Sequence, residues 1–283
     1  MSDYAHPEVL VDTQWLLEHL HDPAVRVVEV NMSSESYQDA RIPGAVFWNI
    51  FTDLLNPDLS MNLDPSAIAK LLSRSGISSE TTVVAYGSYA DAGAWIFWFL
   101  KTIGHERVAV LNGGHQKWVA EGHPVGSEFS SFPATDYQAK SLDSSLRVLQ
   151  PEIQASVATP QEERTLLDAR TPQEYRGEIF MMKPPEGTER AGHIPCAINI
   201  EHILALNEDG TFKSVAALNA LYKARGITAD KEVFTYCAIG ARSACTWFVL
   251  KYLLGYPHVR NYDGSWNEWS RLPQSIVSTD SQF

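Results

Sequence analysis

One cysteine, Cys237, stands where a buried strand should give way to a helix. The apolar run 233–236 predicts the strand, and a longer apolar run over 244–254 predicts the helix. Between them, Gly240 allows backbone conformations that a side chain would forbid. The N–H groups of a loop that curls at a helix N-terminus point toward one spot and bind an anion. A cysteine in that place should be held as the thiolate, which is the reactive form.

Arg242 adds a permanent positive charge to the same loop. The combination suits nucleophilic chemistry on a small anion. A buried structural cysteine in front of a core helix is the simpler interpretation, because free cysteine is often buried and inert. Here the glycine, the arginine and the predicted helix start coincide, and this coincidence favours a functional Cys237.

Composition narrows the function classes. The chain has 283 residues and a formal net charge of -12, so two domains are expected and nonspecific nucleic-acid binding is not. Its three cysteines are odd in number and show no C-x-x-C spacing, which argues against a disulfide framework and a metal site. The N-terminus carries no signal pattern, and the longest apolar run, 92–100, is too short to cross a bilayer. We expect a cytoplasmic protein in a reducing compartment, with no cofactor, no metal and no membrane partner.

Strand and helix patterns alternate along the chain, which predicts an α/β fold with mostly parallel sheets flanked by helices. The pattern then repeats at a nearly constant offset, which indicates a duplicated domain. The offset is 152 residues from Ile42 to Ile194, 150 from Tyr86 to Tyr236 and 151 from Gly113 to Gly264. We predict an N-terminal domain over 1–124, a polar linker over 125–149 and a C-terminal domain over 150–283.

The two halves differ around the predicted site. Gly87 occupies the place of Cys237, and the loop that follows has an acid and no arginine. The second half also has about 14 extra residues, since Tyr175 and His193 are 18 apart whereas Tyr37 and Arg41 are 4 apart. Only the second half is therefore equipped for thiolate chemistry, and its insert, 176–190, is a natural substrate wall.

Three segments resemble one known family, the two-domain rhodaneses, which are thiosulfate and 3-mercaptopyruvate sulfurtransferases. Residues 192–197 read G-H-I-P-C-A, and the C-terminal segment 259–269 contains Y-D-G-S-W. The loop 237–242 has the form Cys-x-x-Gly-x-Arg found in many bacterial members. The resemblance covers nearly the whole chain and implies two tandem rhodanese-like domains, of which the first has no catalytic cysteine.

The resemblance also implies a mechanism in which sulfur passes through a persulfide on Cys237. The donor would be a small anion, with thiosulfate expected, and the acceptor a thiophile such as cyanide or a thiol. The predicted site residues are the donor-binding groups and two supporting carboxylates: Ala238, Ile239, Gly240, Ala241, Arg242, Arg190, the weaker candidate Lys183, and the supporting Asp168 and Asp263. For Arg242, binding the donor and bracing the loop both stay open.

Three alternatives compete with thiosulfate sulfur transfer. The first is 3-mercaptopyruvate as the donor; Ala238 and Ile239 match neither the basic residues of animal thiosulfate enzymes nor the Gly-Ser pair of mercaptopyruvate enzymes. The second is a cysteine-based phosphatase, which the short spacing between Cys237 and Arg242 disfavours. The third is a non-catalytic binding module, which the retention of Cys237, Gly240 and Arg242 disfavours.

Overall fold

The chain folds into two units, each built around its own parallel sheet. The computed structural model describes residues 3–35 and 40–279. The N-terminal unit runs from His6 to Asp143 and also takes in Leu206–Lys213, and the C-terminal unit holds the remaining described residues. The domain boundaries given above stay a prediction, and the assignment of Leu206–Lys213 was not foreseen. Tyr37, used in the insert comparison, lies outside the described residues.

In the described part of the N-terminal unit, five parallel strands form the sheet. The strands are β1 (Leu10–Val11), β2 (Val25–Asn31), β3 (Val46–Asn49), β4 (Thr82–Tyr86) and β5 (Val108–Leu111), and the α-helices are α1 (Thr13–His19), α2 (Pro65–Arg74), α3 (Ala90–Thr102) and α4 (Gly114–Ala120). The spatial order is β1-β5-β4-β2-β3. Short 3₁₀ and π turns cover Pro7–Val9 and Ile50–Leu54.

Residues at the helix ends explain where several of these helices begin. Asp12 caps α1 by accepting the backbone N–H of Trp15 at 2.7 Å. Asp64 caps α2 in the same way, with Pro65 in the first turn, where its missing N–H costs nothing. The helix α3 begins at Ala90, two residues before the apolar run 92–100, and the acidic Asp91 lies in its first turn.

The described C-terminal unit has four parallel strands in the order β7-β6-β8-β9. They are β6 (Arg164–Asp168), β7 (Ile198–Asn199), β8 (Glu232–Tyr236) and β9 (Val259–Asn261), and the α-helices are α5 (Gln150–Ala158), α6 (Pro172–Tyr175), α7 (Val215–Lys223), α8 (Ala241–Phe248) and α9 (Ser265–Trp269). A single parallel bridge from Arg147 to Asn261 stands where the N-terminal unit has β1. Further short turns cover Ser144–Leu146, His202–Ala205 and Val249–Leu253.

The helix that follows Cys237, α8, differs from the prediction at both ends. It begins at Ala241, three residues before the apolar run, because Arg242 and Ser243 occupy its first turn. Its regular part ends at Phe248, and the chain continues as a π turn over Val249–Leu253.

The predicted duplication is confirmed at the level of single hydrogen bonds. In the N-terminal unit, the backbone N–H of His115 donates to the carbonyl of Gly87 at 2.8 Å. In the C-terminal unit, the backbone N–H of Trp266 donates to the carbonyl of Cys237 at 3.0 Å. The second residue of α4 therefore holds the loop after β4, and the second residue of α9 holds the loop after β8.

Candidate active site

The loop 237–240 joins β8 to α8 and is one residue longer than its counterpart 87–89 in the N-terminal unit. Its last residue, Gly240, has a φ of +88°. A Cβ built there would lie 2.7 Å from the carbonyl oxygen of Asp263 and 2.8 Å from its Cα. Gly240 is thus required for both its backbone conformation and the close approach of a neighbouring chain segment. The conformational freedom predicted for this glycine is confirmed.

The backbone of Cys237 is fixed from both sides by the turn between β9 and α9. Its N–H donates to Ser265 Oγ at 3.1 Å, and that hydroxyl donates to the carbonyl of Tyr262 at 2.7 Å. Its carbonyl accepts from Trp266, as described above. Ser265 itself has a φ of +53°, which is unusual for a residue with a side chain. Cys237 is fully buried, so its thiol sits inside the loop rather than on the surface.

The sulfur of Cys237 has one polar side-chain neighbour that the sequence did not reveal. Ser243 Oγ lies 3.5 Å from Cys237 Sγ, where it can donate a hydrogen bond to the sulfur. Ser243 comes from the first turn of α8 and is fully buried. Asn261, also fully buried, lies 2.7 Å from the same hydroxyl. A polar cluster below the thiol could have been suspected only from the matching register of β8 and β9.

Arg242 is held by a carboxylate that sequence reasoning missed. Its Nη1 and Nη2 donate to the two carboxylate oxygens of Glu174 at 2.7 and 2.8 Å. The Glu174 side chain is 1% exposed and that of Arg242 is 21% exposed. Glu174 also forms a capping box with Thr171 at the start of α6. This contact corresponds to the bracing role for Arg242, and donor binding by Arg242 stays a prediction.

The electrostatics of this pair follow from its burial. Burial lowers the pKa of Arg242, but the Glu174 carboxylate and then the charge of Cys237 outweigh it, so that the pKa is raised. Burial raises the pKa of Glu174, but the hydrogen bonds and charge of Arg242 outweigh it, so that the pKa is lowered. Both groups are therefore charged near neutral pH, and the pair as a whole carries no net charge.

The two predicted supporting carboxylates each pair with an arginine. Asp168 is fully buried at the end of β6, and its Oδ2 accepts from Arg170 Nη2 at 2.6 Å. The guanidinium of Arg170 lies 4.6 Å above the ring of Trp266, and a supporting role of Asp168 at the loop stays a prediction. Asp263 binds the guanidinium of Arg147 at 2.9 and 3.0 Å, and its backbone packs against the loop glycine.

Arg190 and Lys183 lie in the insert and contact other parts of it or the C-terminal segment. Arg190 Nη1 donates to the carbonyl of Leu272 at 2.7 Å and to Ser275 Oγ at 2.9 Å, and Nη2 donates to the carbonyl of Ser275. Lys183 is 47% exposed and pairs with Glu186 at 3.2 Å. Among the described residues, none of the ion pairs or hydrogen bonds of either side chain reaches the loop 237–242. Their contact with a donor stays a prediction.

Arg190 also lines an open cavity of about 390 Å³ between the insert and the segment that follows α9. The indole Nε1 of Trp266 donates to the carbonyl of Arg190 at 3.1 Å. Trp266 in turn holds the carbonyl of Cys237. Trp266 therefore connects the insert to the cysteine loop.

Residues 3–35 and 40–279, which the structure describes, lack two kinds of feature. No helix in that part of the chain is long and apolar enough to cross a membrane. No group of three or more His, Cys, Asp or Glu side chains there could hold a metal ion.

Fold and site together define a class of protein: two copies of one α/β domain, of which one carries a buried cysteine in a loop that leads into a helix. The model of the Rhodanese-like domain matches residues 12–121 and again 151–272. The chain belongs to the rhodanese family.

The chain is similar over nearly its full length to two curated proteins. It is 49% identical over 273 residues to the "Sulfur carrier protein TtuD" of Thermus thermophilus, covering 95% of this chain and 96% of that protein. It is 41% identical over 280 residues to the "Putative thiosulfate sulfurtransferase 1" of Mycobacterium bovis, covering 98% of this chain and all of that one.

Solved structures agree with this placement. An anaerobic ergothioneine biosynthesis enzyme from Chlorobium limicola, in complex with trimethyl histidine, matches with a TM-score of 0.85 and 25% identity, covering 99% of this chain and 72% of the other. The 3-mercaptopyruvate sulfurtransferase SseA from Escherichia coli matches with a TM-score of 0.77 and 24% identity, over 91% of this chain and 98% of that one, and this likeness concerns the fold. The chain is a sulfurtransferase that takes sulfur from a donor and passes it to a thiol or similar acceptor. None of the four proteins named above is called a phosphatase or a non-catalytic module.

Proposed function

We propose that this protein transfers the outer sulfur of thiosulfate to cyanide or a thiol through a persulfide on Cys237. The observation that carries the proposal is the position of Cys237, buried in a curled loop at the start of α8 with Ser243 against its sulfur. The N-terminal unit has glycine at the equivalent place. Sulfur transfer is therefore assigned to the C-terminal unit alone.

In the first half-reaction, the thiolate of Cys237 attacks the outer sulfur of thiosulfate. The bond between the two sulfurs of thiosulfate breaks, and its electron pair leaves with sulfite. The persulfide that forms carries the negative charge on its outer sulfur, so the total charge is unchanged. Backbone N–H groups of residues 238–242 are the groups that would hold this outer sulfur, in the manner of an oxyanion hole.

In the second half-reaction, the acceptor attacks the outer sulfur of the persulfide. The bond between the two sulfurs breaks, and its electron pair returns to Cys237 Sγ. With cyanide the products are thiocyanate and the free thiolate, and no oxidant or reductant is consumed. The enzyme is then ready for another donor.

3-Mercaptopyruvate remains the second candidate donor, and one observation favours it. The insert places the Arg190 side chain at the wall of an open cavity, where it could meet a carboxylate. A role as a sulfur carrier, suggested by the name of the Thermus relative, would use the same persulfide and differ only in the acceptor.

Intact mass measurement after incubation with thiosulfate tests the proposal. The protein should gain the mass of one sulfur atom, and Cys237→Ser should gain none. Cys196→Ser is the matched control, since Cys196 is an exposed free thiol of the same unit, and it should load as the unaltered protein does. Sulfur on the Cys237→Ser variant would show that another residue carries it.

A further inference from the structure

The hydroxyl of Ser243 has three acceptors within reach but only one proton to give. Its Oγ lies 2.7 Å from Asn261 Oδ1, 3.1 Å from the carbonyl oxygen of Gly240 and 3.5 Å from Cys237 Sγ. A serine hydroxyl rotates to suit its surroundings. The direction of this proton therefore depends on which acceptor carries the most negative charge.

The first two acceptors have another donor, so that Ser243 can leave them without cost. Thr235 Oγ1 donates to Asn261 Oδ1 at 3.2 Å. The amide Nδ2 of Asn261 donates to the carbonyl of Gly240 at 3.1 Å. For the sulfur of Cys237, Ser243 is the one hydrogen-bond donor that the described part of the chain supplies. Ser243 can therefore turn its hydroxyl toward the sulfur while Asn261 Oδ1 and the carbonyl of Gly240 each keep another hydrogen bond.

The N-terminal unit provides an internal comparison. In its sheet Ala85 pairs with Val110, at the register where the C-terminal unit pairs Thr235 with Asn261. The residue equivalent to Ser243 is Ala92, at the same distance past the first residue of its helix. The three polar groups are thus replaced by three apolar ones in the unit that lacks the cysteine. The three polar residues are therefore found in the unit that has the cysteine and are not a requirement of the fold.

We propose that the Ser243 hydroxyl is a hydrogen-bond switch that turns to Cys237 Sγ when the sulfur is a thiolate and to Asn261 when it is a persulfide. The proposal rests on the proposed function and adds a residue to it. In the persulfide, the negative charge lies on the outer sulfur, and Sγ is a weak acceptor. When cyanide or a thiol removes the outer sulfur, the electron pair of the broken sulfur–sulfur bond moves to Sγ. The hydroxyl of Ser243 then donates a hydrogen bond to Sγ.

This role affects the two half-reactions unequally. Ser243 stabilises Sγ as the leaving group, so its loss should slow the transfer of sulfur to the acceptor. In the first half-reaction, loss of the hydrogen bond reduces the fraction of thiolate but makes the remaining thiolate more nucleophilic, and the two effects oppose each other. A residue that merely supports the fold would slow both half-reactions alike.

Steady-state kinetics with thiosulfate and cyanide separate the two, because in a ping-pong mechanism kcat/KM for each substrate reports its own half-reaction. For Ser243→Ala we expect kcat/KM for cyanide to fall about tenfold, as for the loss of a hydrogen bond to a charged group, and kcat/KM for thiosulfate to change by less than about threefold. Ser243→Thr keeps the hydroxyl and should restore the cyanide value. Ser156→Ala, which removes a buried hydroxyl bonded to the carbonyl of Glu152, is the matched control and should alter neither.

A second variant keeps the test independent of the folding of Ser243→Ala. Thr235→Val preserves the shape of the side chain but removes the donor that replaces Ser243 at Asn261. Ser243 is then retained by Asn261, and kcat/KM for cyanide should fall about threefold while the thiosulfate value stays unchanged. Equal losses for both substrates in these variants, or no loss for cyanide, would overturn the switch. Absence of sulfur loading in the unaltered protein would instead refute the proposed function itself.

Discussion

Glu174 and Arg242 form a two-pronged ion pair, with 2.7 Å from Nη1 to Oε2 and 2.8 Å from Nη2 to Oε1. The arginine that the sequence offers as a source of positive charge is therefore neutralised by a buried carboxylate. Asp168 and Arg170 form a second buried ion pair in the same unit. The charge that attracts an anion to the loop must come largely from backbone N–H groups at the start of α8.

Removing the carboxylate should therefore cost stability. Glu174→Gln leaves the guanidinium of Arg242 with a neutral partner in a mostly buried place, and we expect the free energy of unfolding to fall by about 2–3 kcal/mol, less than for a fully buried pair because Arg242 is partly exposed. Urea unfolding of the variant at pH 7 measures it. Because the pKa of Glu174 is lowered on folding, the stabilisation is present above the carboxyl's usual pKa and is lost as the pH falls through the lowered value.

Glu178→Gln is the matched control. Glu178 forms a similar two-pronged pair with Arg176, but the two side chains are 51% and 39% exposed. Exposed pairs contribute little, and we expect the free energy of unfolding to change much less than it does in Glu174→Gln. Equal effects of the two substitutions would mean that burial does not set the strength of the Glu174 pair.

Gly240→Ala should damage both stability and activity. A left-handed backbone costs a residue with a side chain about 1–2 kcal/mol, and the new Cβ would also press on the backbone of Asp263. The displaced loop should lower kcat/KM for thiosulfate by roughly 100-fold. Gly226→Ala is the control, since Gly226 has a φ of +71° with no atom within 4 Å of a built Cβ. It should show the backbone cost alone, with activity kept; a similar loss of activity in both variants would contradict the argument.

Glu29 in the N-terminal unit should make stability fall as the pH rises. It is fully buried and accepts the Tyr86 hydroxyl at 2.9 Å, and burial raises its pKa to about 7, although the bond from Tyr86 and the charge of Arg41 act in the other direction. Since the folded protein binds this proton more tightly than the unfolded chain does, the stabilisation is complete below the usual carboxyl pKa and is lost up to about pH 7. The difference corresponds to about 3 kcal/mol.

Glu29→Gln removes this titration. In urea unfolding, the variant should be more stable than the unaltered protein at pH 8 by about 2–3 kcal/mol and similar to it at pH 4.5. Glu80→Gln, at an exposed position of the same unit, should leave the pH profile unchanged. A Glu29→Gln variant that is less stable at pH 8 would show that Glu29 is charged and well paired in the folded protein.

Local signals in the sequence were sufficient for the cysteine loop but not for its surroundings. An apolar run and a glycine identify β8 and the left-handed Gly240, because both depend on the nearest residues. Glu174 lies 68 residues before Arg242 and looks like any acid in the first turn of a helix. Ser243 and Asn261 are 18 residues apart, and only the pairing of β8 with β9 brings them under the thiol. Polar residues that face inward leave no periodic pattern. The sequence therefore does not predict the contacts of Glu174, Ser243 and Asn261.

Thiosulfate should be the preferred donor. We expect kcat/KM for thiosulfate to exceed that for 3-mercaptopyruvate by at least about tenfold. Thiosulfate is a small dianion that backbone N–H groups can hold, whereas mercaptopyruvate needs hydrogen-bond donors for its ketone beside the loop, and the side chains of Ala238 and Ile239 supply none. Side-by-side kinetics with both donors and cyanide as the acceptor measure the ratio.

Arg190→Ala shows whether the insert binds a donor carboxylate. If Arg190 only ties down the C-terminal segment, its loss should lower kcat/KM for both donors by the same factor. Ser275→Ala is the control, because it removes one bond to the guanidinium and leaves the bonds to the carbonyls of Leu272 and Ser275 in place. A selective loss with mercaptopyruvate in Arg190→Ala, together with a preference of the unaltered protein for that donor, would overturn thiosulfate as the donor and leave the persulfide on Cys237 untouched.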